Sequence, residues 1–457
     1  MPLSAPERPT DVSRAALAGF GAAVAAGTVL SVVFATSQPI RNARWALLVP
    51  LAPWAALWAV GVACALRLPR RIALPAVFAA AVVLRLGALA GPPVTSDDLF
   101  RYSWDARVQL SGTDPYRYTP SSAHLAHLRE RWLWPDAQEC ARIQRPEGCS
   151  RINRVLVHTI YPPVAEAWFT VVYRMAGIGA HHKAWQVAGL LVDVGLVALL
   201  PQVLRAWGKD ERWTALYALS PVAVIEVVNN GHVDGLAALA VVLALLATAR
   251  RRPGWAGALL GVATLVKLYP ALLGLALVVA AGRHAQARAW VARVVASAAA
   301  VVALAYLPHL AVVGPKVIGY LPGYLKEEHY DQGGRYLLAG LLHLPAGPTG
   351  VLAFAALAAA AAWVVVRRPP APEAAALLMG ALLLAVTPVQ PWYAVTLLAV
   401  AAVAARPAWA AVAVAGYPYF FAVILDSPHA VAIGRLSYGL ALLAVAVSLR
   451  RSPVPSG

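Results

Sequence analysis

TSDDLFRYSWDARVQLSGTDPYRYTP, residues 95–120, interrupts a chain that is otherwise mostly apolar, and it holds four aspartates, three arginines and three tyrosines. Three apolar runs precede it. Of the 457 residues 60% are hydrophobic and only 13% charged, where an ordinary globular protein carries about 25% charged residues. Mean hydropathy is +0.65. The quoted charges therefore sit where a membrane span has just ended.

Working outward, apolar runs of about 17–25 residues, long enough to cross the hydrocarbon, recur along the whole chain. The first, AALAGFGAAVAAGTVLSVVFAT, exceeds the roughly 7–15 residues of a signal-peptide core and reads as a retained span. The net charge of +17 does not point to nucleic acid, because the basic residues lie in short clusters between spans. These are RLPRR at 67–71, RAWGKDER at 205–212, ARRRP at 249–253, RHAQAR at 283–288, RRP at 367–369 and Arg450-Arg451. That is the positive-inside pattern, and an anionic leaflet is partner enough for such segments.

Placing every basic cluster inside predicts an all-α polytopic membrane protein of 13 or 14 transmembrane helices, multi-pass in the cell membrane. The segments are 15–36, 45–66, 71–90, 184–204, 213–228, 233–249, 255–266, 268–282, 289–312, 349–366, 374–386, 392–405, 408–425 and 430–449. SQPIRNAR at 37–44 is the exception, leaving two arginines outside. The pair 255–266 and 268–282 is short and broken at Lys267-Leu268-Tyr269-Pro270, which predicts two half-helices meeting inside the protein. Residues 163–177 are apolar, but counting them as a span inverts every later cluster. They are expected to lie at the interface or dip into the outer half of the bilayer. The single membrane domain then divides into 1–90, an extracytoplasmic loop 91–183, a helical core 184–312, a second outer loop 313–348 and C-terminal spans 349–457.

Within the quoted stretch, Ser96-Asp97-Asp98 has the form of a helix start, a hydroxyl cap followed by carboxylates at the positive end of the dipole. Phe100, Trp104 and Val108 repeat every four residues, and Asp98, Arg101, Asp105 and Gln109 form a polar face. An amphipathic helix lying on the interface is expected. Thr113-Asp114-Pro115-Tyr116 reads as the turn that ends it. Capping alone would explain the aspartates. A carboxylate at a helix N-terminus also stays ionised, as a general base must.

SDDLFRYSWDARVQLSGTDPYRYTP, then TIYPPVAEAWF, NNGHVDGLAALAVVLAL and GALLGVATLVKLYPALL, together resemble the GT-C superfamily of membrane glycosyltransferases. They are most similar to glycosyltransferase family 87, polyprenyl-phosphate-mannose-dependent mannosyltransferases, over roughly residues 85–345. The resemblance implies about a dozen helices and inverting transfer from a polyprenyl phosphate sugar donor to a glycolipid or glycan acceptor, without a metal cofactor. It also implies a catalytic aspartate just after a span, here Asp98 with Asp97 adjacent. EEHYDQGGRYLL, around His329, departs from the family pattern.

The chemistry of the residues agrees. A glycoside hydrolase needs a carboxylic acid to protonate its leaving group, whereas a polyprenyl phosphate leaves as an anion. One base and a few cations suffice. Asp98 is the base candidate, and Arg335, Lys326, Lys267 and Arg85 are phosphate candidates. Each has a plainer reading: Arg85 can snorkel or pair with Asp193, and Lys267 can cap the broken helix. Arg101, Tyr102, Asp105, Tyr161, Asn230, His232, Asp234 and His329 are further substrate-contact candidates. Glu226, Asn229, His232 and Asp234 crowd one outer turn, where sugar-hydroxyl recognition is favoured over a metal. Trp392 and Tyr393 could stack on a sugar or anchor at the interface. Cys140 and Cys149 share the outer loop and are expected to form a disulfide. A transporter or flippase of lipid-linked sugars is the rival, but no half-to-half repeat is visible. A sugar-lipid ligase is the other, although 313–348 is only a moderate late loop.

Overall fold

The computed structural model describes residues 11–177, 179, 181–282 and 286–451; the first three residues of the RHAQAR cluster lie outside them. Among the described residues every regular element is helical. Three helices open the chain: α1 (Asp11–Ala35), α2 (Leu48–Arg67) and α3 (Arg70–Ala88). The outer loop contributes α4 (Asp98–Leu110) and α5 (Pro163–Ala176). Then follow α6 (His182–Ala206), α7 (Asp234–Ala249), α8 (Pro253–Val266) and α9 (Ala287–Val313). The C-terminal part is α10 (Ala346–Arg367), α11 (Ala371–Val386), α12 (Ala394–Ala404), α13 (Ala410–Ile424) and α14 (Ala430–Arg451).

Among the described residues eight segments are long and apolar enough to cross a membrane, and Pro221–Asn229 with Asp234–Ala249 makes a ninth if that pair, bent by 119°, is one span. The other four expected spans are shorter apolar helices. Their shortness has a physical counterpart. All 11 residues of α12 are buried, so its ends are satisfied by protein rather than exposed to hydrocarbon. α9 is the opposite case: of its 27 residues only Val294 is buried, and Leu304, Leu307 and Val312 point outward, as a lipid-facing helix requires. α8 crosses α9 closely through Gly257 and Gly261, where an added Cβ would lie 2.1 Å from the Val294 carbonyl and 3.0 Å from that of Ala298. Small residues four apart let two membrane helices approach backbone to backbone.

The break at Lys267 is present. Lys267 is extended (φ −146°, ψ 143°), and a 3₁₀ turn (Tyr269–Leu273) and a short helix (Gly274–Val279) complete the second half. Pro270 has no N–H to give the Val266 carbonyl, so the α-helical ladder cannot continue through it. The segment 213–228 is also broken: it ends in a π-helical turn, Val224–Asn229, a geometry that recurs at functional sites.

Arg85 and Asp193 tie α3 to α6 in an ion pair of 2.6 Å with both side chains fully buried. Tyr217 donates to the second carboxylate oxygen (2.5 Å) and Arg85 donates to the Ala218 carbonyl (2.7 Å). Arg85 is therefore fully buried and engaged by Asp193, the plainer of its two readings.

The outer loop differs from expectation in one respect. Phe100, Trp104 and Val108 of α4 are buried against protein, not laid on lipid; Phe100 meets the Trp132 ring at 5.3 Å and Trp104 that of Trp134 at 5.7 Å. The polar face is buried as well, so the loop has its own core, in which the Tyr102 ring stacks on Phe169 of α5 at 4.2 Å. α5, with 14 residues, is well short of the roughly 20 a span needs. Cys140 and Cys149 are disulfide-bonded, Cα atoms 5.9 Å apart, and Cys64 is a buried free thiol in α2.

Candidate active site

The chain leaves α3 and reaches α4 through an irregular strap, residues 89–97, whose backbone groups need partners. The turn after the π-helix supplies them. Asn229 donates to the Ala88 and Pro92 carbonyls (3.0 and 3.1 Å) and accepts from the Val94 N–H (3.1 Å). Asn230 accepts from the Thr95 N–H (3.2 Å) and donates to its hydroxyl (2.6 Å). The His232 ring nitrogen Nε2 lies 2.8 Å from the Ser96 hydroxyl. Asn230 is thus a fastener of the strap, fully buried, and its predicted sugar contact does not fit.

This strap sets Asp98 as the first residue of α4, its N–H donated to Ser96 Oγ at 3.2 Å. Its Oδ1 accepts from Asn153 Nδ2 at 2.7 Å and its Oδ2 from the Tyr161 hydroxyl at 3.1 Å. His232 Nε2 stands 3.8 Å from Oδ2, and the Asp98 side chain keeps 14% exposure. That exposure opens into a cavity of about 1320 Å³. Asp97 turns to the rim, pairing with Arg145 at 2.9 Å with 46% of its side chain exposed, as expected of a helix neighbour rotated by about 100°.

Of the predicted site residues, Asp97, Asp98, Arg101, Tyr161, Lys267 and Arg335 line this cavity, and Tyr102, Asp105, Asn230, His232, Asp234, Lys326 and His329 do not. The reasons differ. Arg101 grips Asp105 through both carboxylate oxygens at 2.9 Å, so that pair is neutralised internally. Tyr102 belongs to the loop core. Asp234 lies behind the wall and anchors Lys267, 3.3 Å away, whose ammonium sits over the Tyr161 and Tyr393 rings, 5.3 Å from each centroid. His232 packs at a tilt against the Trp392 ring, centroids 4.0 Å apart, and has Nδ1 3.1 Å from Glu226, so it backs the site. Lys326 and His329 are exposed at the protein surface. Arg335 is held by Glu328 (2.9 Å) and the Tyr419 hydroxyl (2.7 Å).

Behind α4, Glu166 accepts from Thr159 (2.7 Å) and Gln109 (2.9 Å). Burial, with the Asp105 charge beside it, pushes the Glu166 carboxyl well above its ordinary range.

Asn153, Arg145, Arg154 and Arg41 also line the cavity and were not foreseen. The first three come from an aperiodic loop that carries no pattern to read. Arg41 did leave a signal, since SQPIRNAR breaks the positive-inside pattern. One part of the wall, with Phe354, Leu383, Val386 and Val423, is apolar. Among the described residues no three His, Cys, Asp or Glu side chains form a metal-binding group.

A multi-pass helical protein with a carboxylate, several cations and a partly apolar wall around one large cavity has the parts of a membrane enzyme. The profile of glycosyltransferase family 87 matches residues 159–388, half of the chain, and the chain belongs to that family: it is a membrane glycosyltransferase. No curated protein matches it in sequence.

Proposed function

We propose that the protein transfers mannose from a polyprenyl phosphate to a hydroxyl of a glycolipid or cell-envelope glycan, on the extracytoplasmic face of the cell membrane. Asp98 acts as the general base, and no metal takes part. The observation that carries this reading is the placement of Asp98 in the same cavity as Lys267 and Arg335. The acceptor oxygen attacks the anomeric carbon as its proton passes to Asp98. The bond from that carbon to the phosphate oxygen breaks on the opposite face, with inversion, and the electron pair leaves on the polyprenyl phosphate. Cations facing that oxygen stabilise it, and the apolar wall suits the prenyl chain.

The test is transfer from radiolabelled polyprenyl-phosphate mannose to extracted acceptor lipids, by membranes containing the parent or Asp98→Asn. Asparagine can still engage Asn153 and Tyr161, so folding survives. Transfer should fall by about 10²- to 10⁴-fold, the usual contribution of a general base. Near-normal transfer by Asp98→Asn at matched folding would falsify the assignment.

A further inference from the structure

Both hydrogen-bond donors to Asp98 come from one short stretch of the first outer loop, Asn153 at its start and Tyr161 at its end. The second outer loop rests on the residues between them. Arg154 meets Glu327 at 2.7 Å and lies over the Tyr324 ring at 5.9 Å from its centroid. The Tyr320 N–H donates to the Thr159 carbonyl at 3.2 Å, and the Tyr320 hydroxyl donates to Glu327 at 2.8 Å. At Gly319 (φ +60°) an added Cβ would stand 1.9 Å from the same Thr159 oxygen, so only glycine permits this approach. Arg154 itself adopts a left-handed backbone (φ 49°), uncommon for a residue with a side chain. That kink sends Asn153 to the base and Arg154 to the other loop.

We infer that Asn153 is a positioning residue for Asp98 and that it is set by the docking of residues 319–327, through the Arg154–Glu327 pair, onto the first loop. The base is then in its working rotamer only while the two outer loops are closed on each other. This rests on Asp98 being the base, and it adds a link between loop closure and the competence of that base. The charged and titratable groups around Asp98 are Asp97 and Tyr102 from its own stretch, Arg154 and Tyr161 from the loop, and His232 and Asp234 from the facing turn. The variants below leave all of them in place.

The experiment uses the purified full-length protein in lipid nanodiscs with polyprenyl-phosphate mannose and extracted acceptor lipids. Asn153→Asp puts a second carboxylate within hydrogen-bond distance of Asp98, and two carboxylates sharing a site raise the pKa of one of them. The acidic limb of the kcat–pH profile should move up by about one unit or more. Asn153→Ala and Glu327→Gln should each lower kcat by roughly tenfold, with the donor KM within about twofold. Their double variant should be no slower than Asn153→Ala alone, because two changes acting through one contact do not add. An unmoved acidic limb, a wild-type kcat for Glu327→Gln, or additive losses in the double variant each overturns the proposal. Asp98→Asn, run alongside, separates the two claims: its loss of activity with additive losses elsewhere rejects the coupling alone, and its full activity rejects the base.

Discussion

Removing Asp193 should destabilise the protein severely, and removing Arg85 with it should restore most of the loss. In Asp193→Leu the Arg85 guanidinium, fully buried, loses its partner at 2.6 Å, and the Tyr217 hydroxyl loses its acceptor at 2.5 Å. Arg85 would keep only the Ala81 and Ala218 carbonyls. Breaking a buried pair from one side costs about 3–5 kcal/mol, and an orphaned hydroxyl adds about 1–3 kcal/mol. At about 1.4 kcal/mol per decade, even the lower bound for the broken pair alone is roughly a hundredfold in the unfolding equilibrium. Replacing both residues, Arg85→Met with Asp193→Leu, removes the uncompensated charge, and such exchanges are often neutral or stabilising. Cys64 is the reporter, a buried free thiol in a protein whose other two cysteines are bonded. Its reaction with a fluorogenic maleimide during heating in detergent gives an apparent unfolding midpoint for each variant. The expected order is parent, then the double variant, lower by the orphaned Tyr217 hydroxyl, then Asp193→Leu well below both. A single variant as stable as the parent, or a double variant as unstable as the single, refutes the reasoning.

Two further outcomes follow from the outer loop. Glu166 has its carboxyl raised by burial and by Asp105, so its contribution to stability is full below the unfolded value near 4.5 and is lost as pH rises through the higher folded value. Glu166→Gln, which mimics the protonated form, should therefore fold well and lose less stability than the parent between acid and alkaline pH, read by thermal unfolding across that range. Reducing the Cys140–Cys149 bond should lower the stability of the loop by about 2–3 kcal/mol and loosen Arg145 at the rim, seen as faster proteolysis between 136 and 151 and a weaker donor KM; unchanged proteolysis would count against a stabilising role.

Much of the fold was legible because membrane insertion is governed by local composition. The apolar segments, the break at Lys267-Leu268-Tyr269-Pro270 and the pairing of Arg85 with Asp193 are all signalled by residues close in sequence or by a charge that hydrocarbon cannot host. Asp98, Lys267 and Arg335 stood out for the same reason, as charged side chains where span meets water, and the fold brings them to one cavity. What failed was the inference from residue type to partner. Asn230 looks like a sugar ligand until the strap at 94–96 is seen to need its amide. Arg101 and Asp105 look like a solvent-facing polar stripe until the rest of the loop covers them. Asn153 and Arg145 reach the site from about fifty positions downstream, and only the fold puts them there.

The fastening of residues 88–96 by Asn229, Asn230 and His232 has a consequence for exchanging parts between members of the family. The matched region begins at residue 159, whereas Asp98 lies upstream of it, so the mould and the residue it presents are carried by separate stretches of chain. A chimera that imports 94–98 from one protein and 226–232 from another would join a key to a foreign lock. Such grafts should work only when both segments travel together, and homologous positions in the two stretches should be altered in pairs.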